Sequence, residues 1–524
     1  MPLDKQHYIH SRAGRLNVAD LTTPADLDSI VQAIANTANG NLVVHSHGGL
    51  VSAPSGMQIA ERLLPVYADG GHPLFFIWES GAWETIRNNI TELAHEPVFR
   101  QLLRKALEYA LGRLGGSNGS RSILPGAVDA AKVRATLDAF TADPSLATIP
   151  YRGFVPVLDD AHARSAGVHI DLDEIEADLE EDDEFRRALA TLPDLEPGSR
   201  SALLPAGTAE VRRTPFSLAA SEVLSEKPGT RGLVTFLQAA KVLVRVLKGV
   251  LSRYADHRDH GLYATVVEEL IRTMKVGGSG LNEWGKALQW NRMKKDCSDA
   301  FGTDPLCAGS AFMKRLAQGF PDGTTPGRIT LIGHSTGAIY ICDWLEAADR
   351  LLPKDWKFDV VFLAPAVTYA RFAEAIEKHG HRIGNFRLFA LKDQLELDDQ
   401  VWGSDESLGD AKDWRRFLYP SSLLYLVSGI LESRAESDGT LVDEPDMPLV
   451  GMERYFARTG VYTDAAFPEV AKVRNWMKAK THGAVWSVTA GEPPGCNSAC
   501  NDHGGFDNEP ATLESLRHIV KVGF

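Results

Sequence analysis

The stretch Ile329-Thr330-Leu331-Ile332-Gly333-His334-Ser335-Thr336-Gly337 restricts the possible fold more than any other part of this chain. The short apolar run with β-branched residues, Ile329 to Ile332, predicts a buried strand. It breaks at Gly333-His334-Ser335-Thr336-Gly337, and helical spacing resumes from Ala338 to Glu346. A turn this tight presses backbone on backbone two residues either side of Ser335, and glycine stands at both places. It lifts Ser335 Oγ clear of the sheet and aims the first N–H groups of the new helix at whatever meets that hydroxyl.

Other segments supply partners in a consistent order. Asn41 to Leu50 reads as a second buried strand ending in His47-Gly48-Gly49. A helical segment follows from Ser55, with Met57, Ala60, Leu63, Leu64 and Tyr67 on one stripe. A serine becomes a nucleophile when a histidine takes its proton and a carboxylate holds that histidine's tautomer. After the glycine turn, the strand Phe358 to Leu363 ends in Ala364-Pro365-Ala366 without an acid, whereas Phe386 to Leu391 ends in Lys392-Asp393. Asp393 is thus the first carboxylate at a strand end after the serine, with Glu396, Asp398 and Asp399 as alternatives close behind. Ala484 to Thr489 predicts the last strand, and His503 lies in the loop after it, before helical spacing returns at Leu513, Leu516, Ile519 and Val520. Catalytic groups collect at the C-terminal ends of parallel strands. That favours His503 over His482, which precedes its strand, and over His518, in the closing helix. Cys496, Cys500 and His503 have ligand-like spacing, but no second ligand pair stands nearby, so no metal is expected.

The glycine turn, the His47-Gly48-Gly49 segment, Asp393 and His503, in the chain order Ser, Asp, His, resemble the α/β-hydrolase superfamily. The resemblance covers residues 1 to 85, 326 to 400 and 480 to 524. It implies an α/β fold with a mostly parallel sheet, and a serine hydrolase that cleaves carboxylic esters through an acyl-enzyme. In that reading Ser335 is the nucleophile, His503 the base and Asp393 the carboxylate that orients it. The backbone N–H groups of Thr336 and of Gly49 or Leu50 form the oxyanion hole, and no cofactor is needed. The core comprises 1–81, 326–402 and 482–524, with a large, mainly helical cap at 82–325 and a second insertion at 403–481 along one wall of the substrate site. Pro73 to Gly81 looks like a strand and turn of large bacterial hydrolases of unassigned substrate, with Glu79 in a structural ion pair.

The composition agrees with a globular chain. Apolar residues make up 44% and charged residues 24%, ample for a sizeable core. The formal charge of −14 argues against nucleic acid, because phosphate binding needs a basic face. Met1 to Gln6 lacks a signal-peptide core, no uncharged apolar run reaches the length of a membrane span, and five cysteines suit a reducing compartment. The expectation is a cytoplasmic enzyme acting on a small-molecule or lipid ester, with oligomeric state open.

Within the first insertion the spacing predicts helices over Phe99 to Leu114, Val133 to Phe140, Leu233 to Tyr254 and Leu262 to Met274. Asp171 to Glu184 carries ten acids, but Leu172, Ile175 and Leu179 form an apolar stripe and an EF-hand glycine is missing, so a solvated helix face is expected. Leu233 to Leu251 shows one narrow polar stripe on an otherwise apolar helix. Such a helix is either packed on most sides or a lid that meets lipid. The second alternative keeps a lipase or phospholipase in play; a non-catalytic binding protein on the same fold is the other.

Overall fold

The computed structural model describes residues 3–16, 21–37, 40–49, 51–79, 96–114, 170–192, 235–256, 258–276, 290–320, 324–399, 421–432, 446–457 and 462–524, together with residues 217, 220, 221, 223, 224, 419, 434, 435, 441 and 442. In chain order these begin with β1 (Tyr8–Arg12), α1 (Pro24–Ala35), β2 (Leu42–Ser46), α2 (Ala53–Tyr67) and β3 (His72–Glu79). Next come α3 (Pro97–Leu114), α4 (Leu172–Glu181), α5 (Asp183–Leu189), α6 (Phe236–Ala255), α7 (Leu262–Val276), α8 (Trp290–Asp299) and α9 (Ala308–Gly319). The middle of the sheet follows as β4 (Ile329–His334), α10 (Gly337–Leu351), β5 (Phe358–Leu363), α11 (Tyr369–His379), β6 (Ile383–Leu391) and α12 (Asp393–Asp398). A short helix α13 (Leu423–Leu426) runs into a π turn, Val427–Leu431, and a two-residue ladder pairs β7 (Arg434–Ala435) with β8 (Leu441–Val442). The chain closes with α14 (Glu453–Ala457), α15 (Pro468–Lys478), β9 (Ala484–Ser487) and α16 (Pro510–Lys521).

Seven strands form one sheet in the order β1-β3-β2-β4-β5-β6-β9. Every pair is parallel, so the sheet is wholly rather than mostly parallel. Its strands are apolar on both faces, as a sheet covered on both sides requires. One face packs Val43, Phe75, Ile77, Ile332, Val361 and Phe389 beneath α2 and α16. The other packs Val44, Phe76, Leu331, Val360, Phe362 and Leu388 against helices that include α1, α9, α10, α11 and α15. From β2 the chain moves to β3 on one side, and from β4 to β5 on the other. The carboxyl ends of β2 and β4 therefore flank the topological switch point, where open α/β sheets hold their ligands.

Between β3 and β4 the described residues are mostly helical. Helices α3 to α7 pack on one another, whereas α8 and α9 pack on α10 beside the sheet. Phe312 of α9 meets Phe76 and Trp344 edge-on or tilted, with ring centroids 6.0 and 6.1 Å apart. Helix α6 buries Ala239, Ala240, Val242, Leu243, Val246, Leu247 and Val250, in agreement with core packing rather than an exposed lid. The acidic segment breaks into two helices at Asp182, whose carboxylate caps α5 by accepting from Glu184 and Phe185 N–H, a bond worth about 1 kcal/mol. Ile175 and Leu179 are buried as the stripe predicts, but the acidic face is only partly solvated: Asp178 and Asp182 pair with Lys105, and Asp182 also with Arg104. The helix expected over Val133 to Phe140 lies outside the described residues. Glu79 pairs with Arg12 and His10, both at 2.8 Å, a structural role. Among the described residues no helix is long and apolar enough to cross a membrane.

Candidate functional site at the sheet switch point

Ser335 sits at the end of β4 with φ +54°, a left-handed conformation that a side-chain-bearing residue adopts only when its surroundings enforce it. Three backbone bonds enforce it here. Ser335 N–H donates to Leu363 O (2.8 Å), Ala366 N–H to Ser335 O (3.0 Å) and Ala338 N–H to Ser335 O (3.2 Å). A Cβ on Gly337 would stand 2.1 Å from Ser46 O, and one on Gly333 would stand 2.6 Å from Gly337 O. The two glycines are thus required by backbone approach, as their spacing predicts.

The His47-Gly48-Gly49 turn closes on the serine from β2. A Cβ on Gly48 would meet Ser335 Cβ at 3.3 Å. Trp78 N–H donates to His47 Nε2 (3.2 Å), so the His47 proton lies on Nδ1 and is donated to Gly48 O (2.7 Å). Gly49 N–H donates to Thr336 Oγ1. Leu50, the other expected oxyanion donor, lies outside the described residues.

His503 arrives from the loop after β9, and the structure brings it to the serine's neighbour. Its carbonyl accepts from His334 Nε2 (2.9 Å), and the two imidazoles stack with centroids 5.6 Å apart. Neither ring nitrogen of His503 has a hydrogen-bond partner among the described residues, so its imidazole is held by packing rather than by a carboxylate. Burial pushes its pKa down to about 3, and the neighbouring His334 charge adds to that. His45 and His47 are likewise lowered by burial, to about 3 and about 4. His334 goes the other way. Burial opposes its charged form, but Asp507, 3.4 Å from Nδ1, and the His503 carbonyl outweigh it and raise its pKa. Asp507 is in turn held by Arg62 at 2.7 Å. Arg62, Asp507 and His334 thus clamp the His503 loop onto the turn, a device that no motif in the sequence announces. Its only signals were the histidine inside Gly333-His334-Ser335 and an acid four residues after His503.

The acids after β6 take different partners. Asp393 Oδ1 accepts from Tyr425 Oη (2.8 Å), and Asp393 N–H donates to Glu453 Oε2 (2.8 Å). Glu396 is fully buried, bonded to Ser422 Oγ, with its pKa pushed well above the carboxylate range by burial and then by the Asp399 charge. The carboxylate that touches His503 is Asp399, whose Oδ2 accepts the His503 backbone N–H (2.9 Å). Cys496 and Cys500 are separate buried thiols; Cys500 Sγ donates to Asp502 O (3.1 Å), and burial pushes its pKa up to about 12.

Tyr425 leads into a buried lattice of charges. Arg454 Nη1 donates to Tyr425 Oη (3.1 Å) and Nη2 to Asp259 O (3.0 Å), while His260 stacks on the Tyr425 ring at 4.3 Å. His260 and Arg253 both reach Glu268, at 3.0 and 2.6 Å, and Arg253 also pairs with Asp446 at 2.7 Å. Comparison of the chain with protein-family models, with curated proteins and with solved structures finds no match.

Proposed function

We propose that this protein is a serine hydrolase of carboxylic esters, with Ser335 as nucleophile and His503 as the base that takes its proton. The observation that carries the reading is the strained Ser335 at the switch point, with the His503 loop clamped against the preceding residue. A forced positive φ at a serine is a strain that proteins retain where it serves a site. The strand order departs from the one usual in the α/β-hydrolase superfamily, so the reading rests on the site and not on the sheet. The His503 imidazole is neutral near neutral pH, and to take the serine proton its pKa has to rise from the buried value of about 3 toward the working range, as pairing of a ring N–H with a carboxylate would make it do. The carboxylate that orients the imidazole is assigned to the 393–399 segment, where Asp393 stands at the strand end and Asp399 Oδ2 accepts the His503 backbone N–H rather than a ring N–H. Helices α3 to α7 would cap the site and select the acyl or alcohol group.

A fluorophosphonate probe should label Ser335 in wild-type protein and leave Ser335→Ala unlabelled, and His503→Ala should lower ester turnover by several orders of magnitude. Asp393→Asn and Asp399→Asn, assayed side by side, identify the orienting acid by the larger loss. Absence of labelling in folded wild-type protein would sink the proposal. The lipase alternative has less support, because the apolar face of α6 is already buried.

A further inference from the structure

The hydroxyl of Thr336 has a position that the turn motif does not require. Thr336 is the residue after the serine and caps α10, yet its side chain makes no capping bond to the helix. Its Oγ1 instead accepts the N–H of Gly49, across the switch point. The contact is enclosed: Thr336 is 1% exposed, and a Cβ on Gly49 would fall 2.2 Å from Met293 Sδ and 2.6 Å from the Trp78 ring. Met293 and Trp78 thus press on Gly49 from the side on which the Thr336 hydroxyl also lies, and the Gly49 N–H is directed at the threonine oxygen. A hydroxyl that accepts one hydrogen bond still has its own proton to donate, and accepting strengthens that donation.

We infer that the Thr336 side-chain hydroxyl, polarised by Gly49 N–H, is an oxyanion donor acting beside the Thr336 backbone N–H. One residue then supplies both donors, and Gly49 acts through the threonine rather than on substrate. This rests on the serine-hydrolase reading above and names a residue role within it. When Ser335 Oγ adds to the acyl carbon, its proton passes to His503 and the carbonyl π pair moves onto oxygen. That oxygen accepts hydrogen bonds from Thr336 N–H and Oγ1–H, and neither proton leaves the threonine. As the carbonyl re-forms, the bond to the leaving alkoxide breaks and the alkoxide takes the proton from His503. Water then repeats the sequence on the acyl-enzyme.

Thr336→Val removes the hydroxyl while keeping the branched shape, and Thr336→Ser keeps it. Loss of one oxyanion donor lowers kcat by about 10²–10³-fold. Thr336→Val should show that loss with KM within about twofold, and with weaker binding of a trifluoromethyl ketone in proportion to the kcat lost, as expected for a transition-state contact. Thr336→Ser should restore most of both. Thermal melts report whether each variant is folded, and Thr336→Ala carries the same test should the valine variant fail to fold. Equal or faster turnover in Thr336→Val would overturn the inference, since the hydroxyl would then be blocking Gly49 N–H. A loss that serine does not restore would also overturn it and leave a packing role. Failure of wild-type Ser335 to take the fluorophosphonate is a separate result, and it removes the hydrolase reading itself.

Discussion

The serine end of the sheet and the acid end are built by different means. At the carboxyl ends of β2 and β4, geometry comes from backbone: a forced φ, two glycines without room for a Cβ, and carbonyls that lock the turn. At the carboxyl end of β6, geometry comes from side chains on other segments: Tyr425 donates to the Asp393 carboxylate, Glu453 accepts the Asp393 backbone N–H and Ser422 donates to Glu396. Backbone sterics act over a few residues and leave a motif in the sequence. A side-chain lattice assembled from residues 253 to 454 leaves none. The contrast also predicts different failures: the serine end should respond to protons and the acid end to the loss of a partner.

The sharpest way to break the comparison is at Arg253, which is buried between Glu268 and Asp446. These charges hold the Glu268 carboxyl down to about 2 despite its burial, with His260 and then Arg253 responsible. Arg253→Met leaves Glu268 to His260 and Tyr419 and Asp446 to Arg258, and removing one partner of a buried pair costs about 3–5 kcal/mol. Urea unfolding should show that loss, while fluorophosphonate labelling of the protein that stays folded keeps its wild-type rate. A slower labelling rate at unchanged stability would mean that the lattice governs the serine end as well.

A smaller effect separates the ends by pH. His45, His47 and His503 have folded pKa values of about 3, about 4 and about 3, whereas the unfolded chain takes up protons near the ordinary imidazole value of 6.5. Below that value the unfolded state binds more protons, so each imidazole withdraws up to about 1.4 kcal/mol of stability per pH unit. His334 has the opposite sign: its pKa is raised, so its contribution is complete below 6.5 and is lost as pH rises through its folded value. Asp507, lowered by His334 and Arg62 against its burial, keeps its contribution until pH falls through its depressed pKa. The His334 contribution is constant below 6.5, so the three lowered imidazoles leave a net loss: the melting temperature should fall between pH 6.5 and 5, and no more steeply in His334→Asn. A flat melting profile over that range would show that the histidines are hydrated in solution.

The smallest effect tests the junction of the two ends. Tyr425→Phe removes one hydroxyl donor from Asp393 and one acceptor from Arg454, a loss of about 1–2 kcal/mol. If Asp399 alone positions His503, ester turnover at 25 °C should stay within about twofold of wild type. A larger drop would assign the orienting role to Asp393 and join the lattice to the catalytic relay.

What could be read from sequence follows the same division. The apolar, β-branched runs at Leu42–Ser46, His72–Glu79, Ile329–His334 and Phe358–Leu363 show themselves as strands because both of their faces are covered. Tyr8–Arg12 does not: Ile9 and Ser11 alone are buried along it, and its partner β3 pairs from 67 residues further on, Tyr8 with Phe75. Proximity to a strand end picks Asp393, but the contact between Asp399 and the His503 backbone depends on a loop arriving from a hundred residues later. The Thr336–Gly49 bond was equally hidden, since nothing in either motif states which way the threonine hydroxyl turns.

The sheet order also sets a timetable for synthesis. Strand β2 needs β3 on one side and β4 on the other, and β4 begins only at Ile329. The N-terminal turn waits as well, because Leu16 N–H donates to Leu306 O and Ala308 N–H to Gly14 O. A ribosome adding about 5–20 residues per second leaves the bare side of β2 without its neighbour for on the order of tens of seconds. An apolar strand with one row of backbone groups unpaired is a template for any other chain nearby. The centre of the finished sheet thus stays open until β4 emerges, and the growing chain carries its most adhesive edge throughout the synthesis of everything that lies between β3 and β4.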